Sequence, residues 1–171
     1  MINNYSNINS EELDSLFSLI GQSIWYLQNV EEALNTCITI KGDIINIGSV
    51  SKIEGDNMLS KHRRNTLGTS LRIATKKNIL SADLIKELKL FKEERDWVVH
   101  RSVYQNGDDL YHNEKRYELL FRIKSFINNA LKLQKLISKE LEAFVIQQGV
   151  SKEWIDNNAR KIIQSKYEEK A

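Results

Sequence analysis

Residues 10–40 read SEELDSLFSLIGQSIWYLQNVEEALNTCITI, and the spacing of their apolar side chains decides the fold class. Leu13, Leu16, Phe17, Ile20, Ile24, Leu27, Val30, Ala33, Leu34, Cys37 and Ile38 recur at intervals of three and four. That period lays them along one face of an α-helix, whereas a strand would alternate. Ser10 followed by Glu11, Glu12 and Asp14 supplies a cap and an acidic first turn. At about 1.5 Å per residue the helix is more than ~40 Å long, a length suited to a bundle.

Working outward, residues 41–56 hold three glycines and several β-branched residues and read as a long loop, with room for a short extended piece. A second helix is predicted over Asn57–Lys77, with Met58, Leu67, Ser70, Leu71 and Ala74 on its inner face. A third, capped by Ser81, runs through Leu84, Leu88, Phe91 and Val98 to Arg101. Residues 102–112 place Asn106-Gly107 between tyrosine-bearing flanks, the mark of a turn or small hairpin. A fourth long helix follows over Asn113–Gln148, stopped by Gly149, and Ser151 caps a short terminal helix to about residue 168. The expectation is an all-α, single-domain bundle of four main helices over 1–171, its core at about 10–148.

Composition agrees. In 171 residues there is no proline, and 41% are hydrophobic against 28% charged, so helix breakers are scarce and disorder is disfavoured. Apolar runs are too short for a membrane helix. The opening MINNYSNINSEELDS lacks the pattern of a secretory leader. With the single Cys37 unable to form an internal disulfide, the expected compartment is the cytoplasm.

The net charge of +2 is unevenly spread: residues 1–59 carry eight acids and two bases, and residues 57–82 carry six bases and no acid. This island (Lys61, His62, Arg63, Arg64, Arg72, Lys76, Lys77) suits a polyanion, and equally a solvated face balancing the acidic first helix. No phosphate-cradling glycine loop, nucleophile elbow, paired-carboxylate motif or metal-ligand spacing is present.

The third helix ends in ERDWVVHRS, residues 94–102. The line Leu84, Leu88, Phe91, Val98 is completed at its missing position by Arg95, a charge inside an apolar stripe. Such a guanidinium requires a carboxylate, an open cleft or an anionic ligand. Asp96 and His100 are one turn apart, which allows the carboxylate to orient the imidazole; Lys92, one turn before Asp96, competes for it. Arg95 and His100 lie about 140° apart around a regular helix. Their convergence calls for a loosened helix end or a second copy across a two-fold axis.

Arg95-Asp96-Trp97-Val98-Val99-His100 resembles the Arg-x(4–6)-His motif of the HEPN superfamily, with Asp96 where that family places a polar residue. LFSLIGQSIWYLQNVEEAL and NTLGTSL are similar to matching parts of HEPN proteins, and the likeness spans residues 10–145. The resemblance implies a HEPN-like antiparallel bundle. It also implies a metal-independent endoribonuclease working without a cofactor as a homodimer, of the toxin or phage-defence kind. Arg95 would grip the phosphate, His100 would move the proton, Asp96 would assist, and Lys61, Arg63, Arg64 and Arg101 would hold RNA. An antitoxin or nucleotidyltransferase partner is a further expectation. In one toxin branch, however, the modified tyrosine lies two residues after the His, where this chain has Ser102. The alternative is a non-catalytic helical interaction or nucleotide-binding module, with Arg95 paired to Glu94 or to a carboxylate on another helix.

Overall fold

A computed structural model describes residues 8–168 except 45 and 47, so the ends of the 1–171 span and two positions of the 41–56 loop lie outside the described residues. All the regular elements of the described residues are helical, without a strand. Helix α1 covers Ser10–Ile38, with Asn9 and Glu12 forming a reciprocal capping box. It runs on into a π-helical turn, Thr39–Ile44. Helix α2 (Lys52–His62), with its own capping box from Ser51 and Glu54, has no buried residue. Helices α3 (Leu67–Lys76) and α4 (Ala82–His100) follow. Next come a short α5 (Ser102–Asn106), a 3-10 turn (Gly107–Tyr111), α6 (Asn113–Gln147) and α7 (Lys152–Glu168).

Two expectations need correction. The predicted second helix is two helices, and its first half begins inside the predicted loop. Thr66 accepts from the Thr69 amide, so a fresh helix starts at Leu67, and this break needs neither Gly nor Pro. Residues 102–112 form helical turns and no hairpin: the Trp97 indole N–H donates to Asn106 Oδ1 at 3.0 Å, and Asn106 donates to Asp109 at 2.6 Å, winding the segment in. Helix α7 leaves Trp154, Ile162 and Ile163 exposed, outside the core.

Contacts fix the helix directions. Glu87 meets Lys132, Phe91 stacks on Phe126 at 4.7 Å between ring centroids, and Glu94 meets Arg122, so α4 and α6 are antiparallel. Gly55 lies by Ile44 and Arg63 meets Glu32, so α2 runs back along α1, while Ser70 meets Asn35 and Lys77 meets Asp43, so α3 runs with it. Glu12 reaches Arg116 and Lys41 reaches Glu140, so α1 and α6 are parallel. Successive long helices therefore alternate in direction, but the contact that closes the bundle is a parallel one.

The core between them includes Val30, Leu34, Cys37, Leu88, Phe91, Leu133 and Ile137, all fully enclosed. Burial pushes the Cys37 thiol up to about 11. At the end of α6, Gly149 takes φ +92°, a left-handed stop that a side chain would resist.

Between α1 and α3 the buried Ser70 hydroxyl donates to Asn35 Oδ1 at 2.6 Å. Ser70→Ala strands that acceptor in the core, and urea unfolding should register a loss of about 1–3 kcal/mol.

Candidate functional site

Helix α4 buries Leu84, Leu88, Phe91 and Val98 on the expected stripe and adds Trp97. Trp97 fixes the helix end. Besides its bond to Asn106, it carries the Arg122 guanidinium stacked 3.6 Å from its ring, and Arg122 is in turn gripped by Glu94 through two bonds of 2.9 Å. Glu94, one of the carboxylates offered to Arg95 in the sequence, is thus committed to α6.

Arg95 lies in the stripe with its side chain 20% exposed. Its Nη1 donates to Asp96 Oδ1 at 3.1 Å and approaches His100 Nε2 at 3.3 Å. Its Nε is buried and has no hydrogen-bond partner among the described residues. The Arg95–His100 approach occurs within one chain. The helix ends at His100, Arg101 leaves helical geometry at φ −123°, and the long guanidinium arm bridges the remaining angle. As a hydrogen bond the contact requires a neutral imidazole with its proton on Nδ1, leaving Nε2 as acceptor. Protonation of His100 would set two donors against each other and open the pair.

Asp96 does not orient the imidazole. Its Oδ2 accepts from Lys92 Nζ at 2.6 Å and its Oδ1 from Arg95. A permanent ammonium one turn before it outcompetes a neutral ring one turn after it. Lys92, with Arg95, holds the Asp96 carboxyl below its ordinary 3.8. The Lys92 stem lies against the first turn of α3: a Cβ on Gly68 would stand 3.0 Å from Lys92 Cε.

Sequence reasoning missed Glu31. This half-buried residue of α1 feels the Arg95 charge and the Leu67 amide at the N-terminus of α3. Burial raises its carboxyl above the ordinary 4.5, against the pull of Arg95 and that amide. The signal was available: Glu31 stands between Ile24 and Ile38 at steps of seven, a charge in an apolar line just as Arg95 is. The site is therefore where α1, α3 and the last turns of α4 meet.

The residues expected to hold RNA are differently engaged. Arg63 is bound bidentately by Glu32, with Nε 2.8 and 3.1 Å from the two carboxylate oxygens. Arg101 folds back so that Nη2 donates to the Glu93 carbonyl at 3.3 Å. Lys61 and Arg64 are exposed and form no ion pair among the described residues. From the rest of the island, His62 and Lys77 share Asp43, at 2.6 and 2.7 Å.

No family model matches the chain, and neither a curated protein nor a solved structure matches it.

The two carboxylates titrate in opposite senses. Asp96 binds its proton more weakly folded than unfolded, so its stabilisation is complete above about pH 4 and is lost as the pH falls through the lowered folded value. Glu31 binds its proton more tightly folded, so its stabilisation is complete below about pH 4.5 and is lost as the pH rises through the raised folded value. In urea titrations across the acid range, Asp96→Asn should flatten the loss of stability below pH 4. Glu31→Gln should flatten the opposite slope above pH 4.5.

Proposed function

We propose that this chain is a HEPN-type, metal-independent endoribonuclease. The observation that carries the reading is the approach of Arg95 Nη1 to His100 Nε2 at 3.3 Å, at an exposed helix end, by an arginine whose Nε has no hydrogen-bond partner among the described residues. A cation with spare donor capacity beside a neutral base is the pair that 2′-OH attack on a phosphodiester needs. An RNA phosphate would draw the guanidinium off the imidazole and free Nε2 as acceptor. His100 would then take the 2′-OH proton as the oxygen attacks phosphorus, and Arg95 would stabilise the extra negative charge of the phosphorane. The P–O5′ bond breaks, the proton returns to the 5′ oxygen, and the products are a 2′,3′-cyclic phosphate and a 5′-hydroxyl. Asp96 serves as a positioning residue for Arg95 together with Lys92, in place of the imidazole-orienting role expected from the sequence.

Within this reading the protein is a cytoplasmic toxin or phage-defence effector with RNA as its substrate and an antitoxin as its partner. Exposed Val99, Val103 and Tyr104 beside His100 support a homodimer surface at the same end of α4. A second reading, a non-catalytic helical module, draws on the Lys92–Asp96–Arg95 cluster, which gives the guanidinium a structural counter-ion.

Purified protein should degrade mixed cellular RNA in the presence of EDTA. His100→Ala should slow the reaction by about 10²–10⁴-fold, and Arg95→Ala by about 10²–10³-fold. RNA left intact by the wild-type chain, or cleaved equally by His100→Ala, would leave the non-catalytic module as the reading.

A further inference from the structure

The seam between α3 and α4 is a groove of about 420 Å3 lined by Gly68, Leu71, Arg72, Thr75, Lys76 and Lys89. Arg72, Lys76 and Lys89 are exposed, and none of them forms an ion pair among the described residues. Lys41, Arg63, Lys77, Arg122 and Lys132 each have a carboxylate, and what sets the three apart from other unpaired cations such as Lys61 and Arg64 is that they line one groove. Three unneutralised cations facing one cleft repel each other, and an anion laid along the cleft relieves that repulsion.

The groove leads to the site. Gly68 at one end touches the Lys92 stem, Lys92 holds Asp96, and Asp96 holds Arg95. With α3 and α4 antiparallel, Lys76 lies at the far end and Arg72 and Lys89 lie between. At about 1.5 Å per residue, Lys89 is ~9 Å along α4 from Arg95. The cations thus form a line ending at the reactive pair.

We propose that the α3–α4 groove is the track for a single strand of RNA, held by its phosphates. The inference rests on the ribonuclease reading and names its substrate class. A cleft between two helices in contact is narrower than a duplex, and with no aromatic side chain lining it the groove has no platform for bases. Binding is therefore insensitive to sequence and strongly dependent on salt. Counter-ion release on a single strand gives a slope of about −0.7 in log K against log salt for each phosphate neutralised, so three cations contribute about −2.

The test measures binding in the His100→Ala background, where RNA stays intact, with fluorescent oligouridylate, an RNA hairpin duplex and phosphatidylserine vesicles as probes. Oligouridylate should bind more tightly than the duplex. Adding Arg72→Gln and Lys89→Gln should weaken it roughly tenfold near 0.15 M salt and make the salt slope shallower by about 1.4. The control pair Lys135→Gln and Lys139→Gln, exposed on α6, should change neither quantity. Unchanged binding in the groove variant, equal loss in the control pair, preference for duplex, or binding to vesicles but not to RNA would each overturn the track. If oligouridylate binds through the groove while the wild-type chain leaves RNA uncut, the track stands and the nuclease reading falls. If RNA is cut but the groove variant binds normally, the nuclease reading stands and the track falls.

Discussion

The closing contact between α1 and α6 is parallel, and this constrains everything between them. Two helices of 29 and 35 residues running the same way need an even number of reversals in the intervening chain. The chain supplies four, at the ends of α1, α2, α3 and α4. One consequence is that α4 runs against both long helices and presents its stripe to their shared face, where Phe91 stacks on Phe126. Another is that α3, reached only after α2 has turned back, lies alongside α1 with its N-terminus beside Glu31. The meeting of three helix surfaces at Arg95 follows from the number of turns.

At that meeting point two apolar stripes each contain one charge, Glu31 on α1 and Arg95 on α4. A single ion there would be costly by several kcal/mol, and a simple pair would only partly offset the desolvation. The chain spreads the charge over a cluster: Lys92, Asp96 and Arg95 on one helix, Glu31 and the α3 amide opposite. The raised carboxyl of Glu31 and the lowered one of Asp96 show that solvent and partners are unequally shared across it. A guanidinium held this way keeps part of its hydrogen-bonding capacity uncommitted, and its Nε is the residue of that imbalance.

Elements with strong periodicity were legible from the chain: α1, α4 and α6 lie within a residue or two of their expected bounds. What failed was local. Helix α2 stops at His62 and Thr66 caps a new helix, a break made by ordinary polar residues that carry no strong stop signal. Asn106-Gly107 resembles a hairpin turn, yet the buried Trp97 recruits Asn106 and the segment winds into helix. Arg95 and His100 stand out as candidates because a charge breaks a stripe and a spacing matches. Glu31 broke a stripe in the same way and was passed over because it sits in an acidic helix. Which carboxylate each cation takes depends on inter-helix distances, so the pairing of Arg63 with Glu32 and of Glu94 with Arg122 has no signature in the chain.

The one thiol of the protein gives the bundle a built-in chemical clock. Cys37 is fully enclosed among the core residues, with its thiol pushed up to about 11. Near neutrality the thiolate that alkylating agents and oxidants attack is scarce, and the side chain has no exposed surface. Reaction therefore waits on separation of the core helices, and the rate of thiol capture reports how often α1 parts from its neighbours.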